Sequence, residues 1–180
     1  MSTVTPDRTR ADTDGGGAPA ERNRAVVQRW IDAFNARDDA GEAAARTAGY
    51  VAHAPESIQP AALHSDDWLE FLGVFREGFP DLRLEIEGSS ADADMVAARI
   101  LFTGTHTGSF RGLPPTGRQV RFSGLEINRM VDGKVAEHWF QLDSLTLFDQ
   151  LGLKVVPGPR LLPRLLTAPV KRLFARGHGA

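Results

Sequence analysis

The sequence predicts an α+β fold in which helices come first and pack against one face of an antiparallel sheet. Before Pro80, apolar residues recur at helical spacing, whereas after it they alternate with polar residues at the period of a strand. A further observation is the pair Asp132-Gly133, which separates two alternating runs and is typical of a β-hairpin. This order of elements places the helices on one side of the sheet.

Three helices and one brief strand are predicted in the first half of the chain. The first helix has a single apolar stripe, formed by Val26, Val27, Trp30, Ile31 and Phe34. An alanine-rich stretch over 39–47 predicts a short second helix, and 50–53 predicts a brief strand. Ser65 is the expected N-cap of a third helix, which ends at Pro80. Its apolar side consists of Trp68, Phe71, Leu72, Phe75 and Phe79.

The second half of the chain predicts strands and one last helix. The first strand follows Pro80 and is marked by alternate apolar residues, Leu82, Leu84 and Ile86. A long strand is expected over about 95–106. The ranges 120–130 and 135–143 then form a hairpin around a four-residue turn. Ser144 is the candidate N-cap of a short helix that Gly152 ends.

Length and composition predict one domain with two appendages. A chain of 180 residues with 42% hydrophobic content suits a single core. Residues 1–20 predict a disordered lead without a signal-peptide pattern, 21–153 the folded domain, and 154–180 a separate tail. The absence of cysteine excludes disulfides and favours the cytoplasm, and no apolar run reaches transmembrane length.

Charge is distributed unevenly along the chain. The tail carries six basic residues and no acid, so the preceding 153 residues have a net charge of −8 within a total of −2. An acidic domain is not expected to bind nucleic acid, because phosphate contacts need a basic face. The tail also contains leucines interrupted by Pro163 and Pro169. It could bind an anionic membrane surface, contact a partner enzyme or a second subunit, or pack on its own domain.

One face of the last strand carries most of the candidate site. Residues two apart on a strand share a face, which groups Glu137, Trp139 and Gln141 with Asp143. Pairing around the turn places Asn128 opposite Glu137 and Glu126 opposite Trp139, although a slip of one residue would reverse the set. Carboxylates beside an indole predict the wall of a small-molecule cavity, where a carboxyl group should have a raised pKa.

Three further polar residues are weaker candidates. His106, at a strand end, could be a catalytic general acid or donate a hydrogen bond to a substrate carbonyl, or it could hold the neighbouring glycine-rich loop. His53 could line the cavity or be an edge-strand residue with satisfied hydrogen bonds. Arg99 could neutralise Glu126, bind a substrate oxygen or be an ordinary exposed arginine. No metal site is expected, because no spacing of metal ligands occurs.

Several motifs together resemble the SnoaL-like polyketide cyclase family. They are GTHTG, PPTGR, DGKV followed by EHW, an aspartate four residues after Trp139, and QLG. The resemblance extends from about residue 25 to 153. It implies the cone-shaped α+β barrel that this family shares with ketosteroid isomerase and scytalone dehydratase, with the active site in the hollow between helices and sheet.

The resemblance also implies a reaction, a cofactor-independent aldol-type ring closure on a polyketide ester in secondary metabolism. It matches Asp143 to the catalytic acid/base, and it matches His53 to a recurrent histidine. His106, Asn128 and Gln141 would then hold carbonyl oxygens while Trp139 stacks on the substrate, with no metal, flavin or nucleotide. Alternatives are dehydration, hydration, isomerisation or epoxide opening in the same pocket, or a carrier that binds a small ligand without catalysis.

A homodimer through the exposed face of the sheet is expected as well, because the fold's relatives commonly pair this way. In the predicted register, the residues that form an apolar patch on that face are Leu125, Ile127, Phe140 and Leu142, together with His138.

Overall fold

The computed structural model of the protein describes residues 17–55 and 62–154, and these ranges contain four helices and six strands. The helices are α1 (Ala18–Ala36), α2 (Asp39–Ala44), α3 (Ser65–Gly78) and α4 (Ser144–Leu151). The strands are β1 (Arg46–His53), β2 (Leu63–His64), β3 (Arg83–Ala91), β4 (Met95–Thr105), β5 (Gln119–Val131) and β6 (Lys134–Leu142). Helices therefore pack on one curved sheet, and the predicted α+β class is confirmed.

Helix boundaries differ slightly from those predicted. Helix α1 begins at Ala18, with a proline in its first turn, so 18–20 are helical and do not belong to the lead. The N-cap of α3 is His64 and not Ser65, and the Asp67 carboxylate accepts a hydrogen bond from the His64 backbone N–H. The lead before residue 17 and the tail after Lys154 lie outside the described residues.

The sheet is mixed, not wholly antiparallel as predicted. Its strand order is β2-β1-β6-β5-β4-β3, and β1 runs parallel to β6 while every other neighbouring pair is antiparallel. The parallel pair is possible because residues 54–133, including α3, intervene between β1 and β6, and a long connection permits either direction. The described strands curve around the helices without closing into a complete barrel.

A β-bulge in the β5–β6 hairpin decides which side chains face the helices. Asp132 and Gly133 have positive φ angles of 50° and 70° and form a two-residue turn. Met130 pairs with Val135, but Arg129 pairs with Glu137, so Ala136 is an extra residue on β6.

The predicted register is therefore wrong by one residue beyond Ala136. Asn128 lies opposite His138 and Glu126 lies opposite Phe140. Because the two faces of a strand alternate, this shift turns Glu137, Trp139 and Gln141 to the outer face. His138, Phe140 and Leu142 consequently face the helices.

The core lies between the inner face of the sheet and the helices α1 and α3. It is rich in aromatic rings that meet edge to face, and Trp30, Tyr50 and Trp68 have ring centroids within 5.9–6.1 Å of one another. Among the described residues, no helix is long and apolar enough to cross a membrane. The aromatic packing leaves a cavity, and this cavity contains the candidate site.

Candidate functional site

The cavity has a volume of about 70 Å³ and lies between the helices and strands β3–β6. Most of its wall is apolar: Trp30, Ile31, Phe34, Trp68, Phe71, Leu72, Phe75, Leu82, Leu84, Phe102, Phe140 and Leu142. Three ionisable side chains also line it, and these are Glu42, Glu126 and His138. An apolar hollow with a few polar groups is the usual form of a small-molecule site.

Glu126 and His138 form a buried polar pair on adjacent strands. Their exposed fractions are 8% and 3%, and Glu126 Oε2 lies 3.5 Å from His138 Nε2. Asn128, which is fully buried, donates from Nδ2 to Glu126 Oε1 at 3.0 Å. This contact holds one carboxylate oxygen and leaves the other directed at the imidazole.

Tyr50 determines which nitrogen of His138 carries the proton. Its hydroxyl lies 3.1 Å from His138 Nδ1, and burial raises the pKa of Tyr50, so the hydroxyl is neutral. We take the hydroxyl as the donor and Nδ1 as the acceptor, because the opposite tautomer would direct the Nε2 lone pair at the carboxylate oxygen of Glu126. We therefore assign the imidazole proton to Nε2, which points toward Glu126 and has no hydrogen-bond partner of normal length.

A second polar region surrounds Glu42 on α2. Glu42 is fully buried and forms an ion pair through Oε1 with Arg76, which also binds Asp39 at 2.8 Å. Burial raises the pKa of Glu42, while Arg76 and Arg46 oppose that rise. The second oxygen, Oε2, is buried without a hydrogen-bond partner.

The structure does not bring Asp143 to this cavity. Asp143 is exposed and is the N-cap of α4, where it accepts hydrogen bonds from the Thr146 backbone N–H at 3.0 Å and hydroxyl at 2.7 Å. These bonds lower the pKa of Asp143, so the predicted rise is wrong. The arrangement matches the capping alternative, with the cap one residue earlier than Ser144.

The other predicted wall residues of β6 lie on the outer face. Trp139 stacks on His53 with ring centroids 5.2 Å apart, and His53 Nε2 contacts Glu137 Oε1 at 2.9 Å. Hydrogen bonds from His53 and Arg129 lower the pKa of Glu137. Gln141 is exposed on the same face. None of these four predicted residues lines the cavity.

His106 and Arg99 also lie away from the cavity. His106 is fully buried, and its Nδ1 accepts from the Thr116 backbone N–H at 3.2 Å, so this ring holds the glycine-rich loop, as the second hypothesis proposed. Burial lowers the pKa of His106. Arg99 forms an ion pair with Glu87 on the outer face and does not neutralise Glu126. Within 17–55 and 62–154, no group of three or more histidines and acids could bind a metal ion.

Of the nine predicted site residues, only Glu126 lines the cavity, and Asn128 donates a hydrogen bond to Glu126 without lining the cavity itself. The prediction missed His138, Tyr50 and Glu42, and it assigned Trp68 to the core alone. A signal for His138 was present, because Phe140 and Leu142 on its face are more apolar than Glu137 and Gln141. Glu42 gave no such signal, since its burial depends on a contact with Arg76 across 34 positions of sequence.

Comparison with known proteins agrees with this fold and cavity. The family model described as SnoaL-like polyketide cyclase matches residues 24–151. The chain belongs to the SnoaL-like polyketide cyclase family. This confirms the resemblance drawn from the sequence motifs.

Three relatives illustrate the similarity. The chain is 34% identical to the aklanonic acid methyl ester cyclase DauD of Streptomyces sp. strain C5 over 135 residues, which cover 71% of this chain and 80% of DauD. AclR, a proposed hydroxylase from Streptomyces galilaeus, has 32% identity and a TM-score of 0.67, covering 74% of this chain and 97% of its own. IdmH, a proposed polyketide cyclase from Streptomyces antibioticus, has 28% identity and a TM-score of 0.67, covering 73% and 99%.

Proposed function

We propose that the protein catalyses an aldol-type ring closure of a polyketide ester, with Glu126 as general base and His138 as proton donor. The observation that carries this proposal is the buried Glu126–His138 pair in an otherwise apolar cavity. Membership of a cyclase family and 34% identity to an aklanonic acid methyl ester cyclase support the reaction type.

The two side chains suit the two proton transfers of this reaction. Glu126 Oε2 removes a proton α to a carbonyl, and the resulting enolate carbon forms a bond to a second carbonyl carbon. The electron pair displaced from that carbonyl becomes an alkoxide, which His138 Nε2–H protonates, and this leaves an imidazolate whose Nδ1 keeps the hydrogen bond from Tyr50. The proton on Glu126 then returns to the imidazole, so the enzyme ends as it began and needs no cofactor.

Tyr50 and Asn128 act as positioning residues for this pair. Tyr50 keeps the proton of His138 on Nε2, and Asn128 fixes one oxygen of Glu126 so that the other faces the cavity. Fixed hydrogen-bonding groups in a dry site stabilise developing charge without reorganisation during the reaction. The aromatic wall excludes water and packs against a flat substrate.

The size of the cavity sets a condition on substrate binding. An apolar cavity of about 150 Å³ holds a single benzene ring. Any substrate with one or more rings therefore exceeds the present 70 Å³, and the lining side chains must move when it binds.

The test uses aklanonic acid methyl ester, the compound named for the DauD activity, incubated with the full chain and monitored by chromatography and mass spectrometry. We expect a product that elutes differently but has the mass of the substrate, because an aldol addition loses no atoms. A reaction without protein measures spontaneous closure.

Other outcomes would contradict the proposal. Unchanged substrate would exclude this ring closure, and loss of water would indicate a dehydratase. A gain of one oxygen atom would instead indicate the activity proposed for AclR, which is almost as similar to this chain as DauD.

We also propose a homodimer through the outer face of β5 and β6, although the residues on that face differ from those predicted. His138, Phe140 and Leu142 face inward, but Leu125 and Ile127 are 62% and 45% exposed and lie beside Gln141 and Trp139. Adjacent exposed apolar side chains mark interaction surfaces.

Light scattering should give a dimer at micromolar concentration, and Leu125→Lys should give a folded monomer. Leu145→Lys is the matched control, because Leu145 is equally exposed at 68% but lies on α4. A monomeric wild-type protein, or equal effects of the two lysines, would exclude this interface.

A further inference from the structure

We propose that Glu42 and Trp68 select the ligand of this cavity, with Glu42 accepting a hydrogen bond from a hydroxyl group and Trp68 donating one to a carbonyl oxygen. The ligand class is thus an aromatic compound that carries both groups. The inference rests on the proposed function only in taking this cavity as the substrate site, and it does not depend on the reaction.

The evidence at Trp68 is a buried donor without an acceptor. Trp68 lines the cavity and is 6% exposed, and its Nε1 has no hydrogen-bond partner. The indole N–H can only donate, and a buried tryptophan normally finds an acceptor for it. Five rings surround it and fix the indole without accepting its hydrogen bond, and these are Trp30, Tyr50, Phe71, His138 and Phe140.

The evidence at Glu42 is a buried acceptor without a donor. Oε1 forms the ion pair with Arg76, while Oε2 has no partner. Glu42 belongs to the cavity wall, and its backbone oxygen rather than its carboxylate receives the hydrogen bond from Arg46 Nε at 3.2 Å. An unpaired carboxylate oxygen in an apolar wall is costly, so a ligand that donates to it gains affinity and discrimination.

The two groups have opposite requirements, because Glu42 needs a hydrogen-bond donor on the ligand and Trp68 needs an acceptor. Glu42 rejects a ligand whose hydroxyl is methylated, because an ether oxygen cannot donate. Trp68 rejects a ligand whose carbonyl is reduced to a methylene, because no acceptor remains. Each loss should weaken binding of that ligand by about tenfold, the typical effect of one buried hydrogen bond left unpaired.

The experiment measures binding by calorimetry for three single-ring probes against the full chain. The probes are para-hydroxyacetophenone, its methyl ether para-methoxyacetophenone, and para-ethylphenol, which lacks the ketone. Wild-type protein should bind para-hydroxyacetophenone about tenfold more tightly than either of the others.

Two variants should remove the two preferences separately. In Glu42→Gln, the hydroxyl preference should disappear or invert, because an amide N–H₂ can donate to the ether oxygen, while the ketone preference remains. In Trp68→Phe, the ketone preference should disappear while the hydroxyl preference remains.

Matched controls separate ligand selection from structural damage. Asp39→Asn removes the other carboxylate partner of Arg76, but Asp39 is exposed and lies outside the cavity wall. Trp139→Phe makes the same substitution on the outer face. Both controls should keep both preferences.

The proposal would be overturned by a wild type that binds the three probes equally, or by variants that weaken all three to the same extent. Because no probe undergoes ring closure, these outcomes are independent of whether the protein is a cyclase.

Discussion

The two faces of the β5–β6 hairpin have similar residue types but opposite surroundings. On the inner face, Glu126 and His138 are buried beside an apolar cavity, and their polar atoms are only partly satisfied. On the outer face, Glu137 and His53 are half-buried, and Glu137 also binds Arg129. Each face therefore pairs a carboxylate with an imidazole.

Burial, and not residue type, distinguishes the proposed reactive pair from the surface ion pair. The outer carboxylate contacts His53 and Arg129 at 2.9 Å each, and these two partners lower its pKa. The inner one has a 3.5 Å gap to its imidazole, and both groups retain bonding capacity toward a ligand. An enzyme can use the inner pair because a substrate can complete it.

The largest expected effect is a difference in protein stability between substitutions at two neighbouring residues of β6. Phe140→Ala should lower the free energy of unfolding by about 3–5 kcal/mol, because it removes a buried ring that packs on Trp68 and Phe71. Gln141→Ala, one residue away on the outer face, should change it by no more than about 0.5 kcal/mol. Urea denaturation of both variants measures the difference, and a reversed order would mean that the faces of β6 are exchanged.

The second effect concerns turnover. Glu126→Gln should lower kcat/KM by about a hundredfold or more, because an amide cannot remove a proton. Glu137→Gln makes the same change on the outer face and should leave kcat/KM within about twofold. Circular dichroism must show both variants folded, and full activity in folded Glu126→Gln would remove that residue from the mechanism.

Much of the fold was predictable because periodicity reports which side chains are buried. The stripes of α1 and α3, the alternation along β3 to β6 and the Asp132-Gly133 turn all appear in the sequence and in the structure. The strand pairing that brings β1 beside β6 depends on contacts between distant residues, and no local pattern encodes it.

The candidate site was less predictable, because one extra residue on β6 exchanged the side chains that face the cavity with those that face outward. Up to Val135 the hairpin follows the register expected from its turn, and the bulge at Ala136 then shifts every later pair. Glu126 and Asn128 lie on β5, which has no extra residue, and both are buried as the alternation along that strand indicated. His138 follows the bulge on β6, so the register expected without a bulge placed it on the exposed face.

A smaller effect tests the role of Asp143, the residue that the family resemblance favoured as acid/base. Asp143→Ala should lower the Tm by about 2–4 °C through loss of the N-cap of α4, and Asp143→Asn should keep the cap and the Tm. Turnover should stay within about twofold in Asp143→Asn. A hundredfold loss of turnover with an unchanged Tm would restore the catalytic role and exclude the assignment to Glu126.

The smallest effect concerns the pH dependence of stability, where an inner and an outer carboxylate should act in opposite directions. Hydrogen bonds lower the pKa of Glu137 below its ordinary value of 4.5, so its stabilising contribution is present above that pH and is lost as the pH falls through the folded-state pKa. Burial raises the pKa of Glu42 above the same value, so the folded state binds the extra proton and stability falls as the pH rises from 4.5 toward the raised pKa.

Removing each carboxylate should therefore change the slope with opposite sign. Relative to wild type, Glu137→Gln should make stability rise less steeply with pH just below 4.5, and Glu42→Gln should make it rise more steeply just above 4.5. Urea denaturation at a series of pH values measures both slopes, with Gln141→Glu as an exposed control on the outer face. Slopes that change in the same direction would show that the carboxylate on α2 and the outer carboxylate on β6 are solvated alike, because only a difference in burial and pairing gives the two pKa shifts opposite signs.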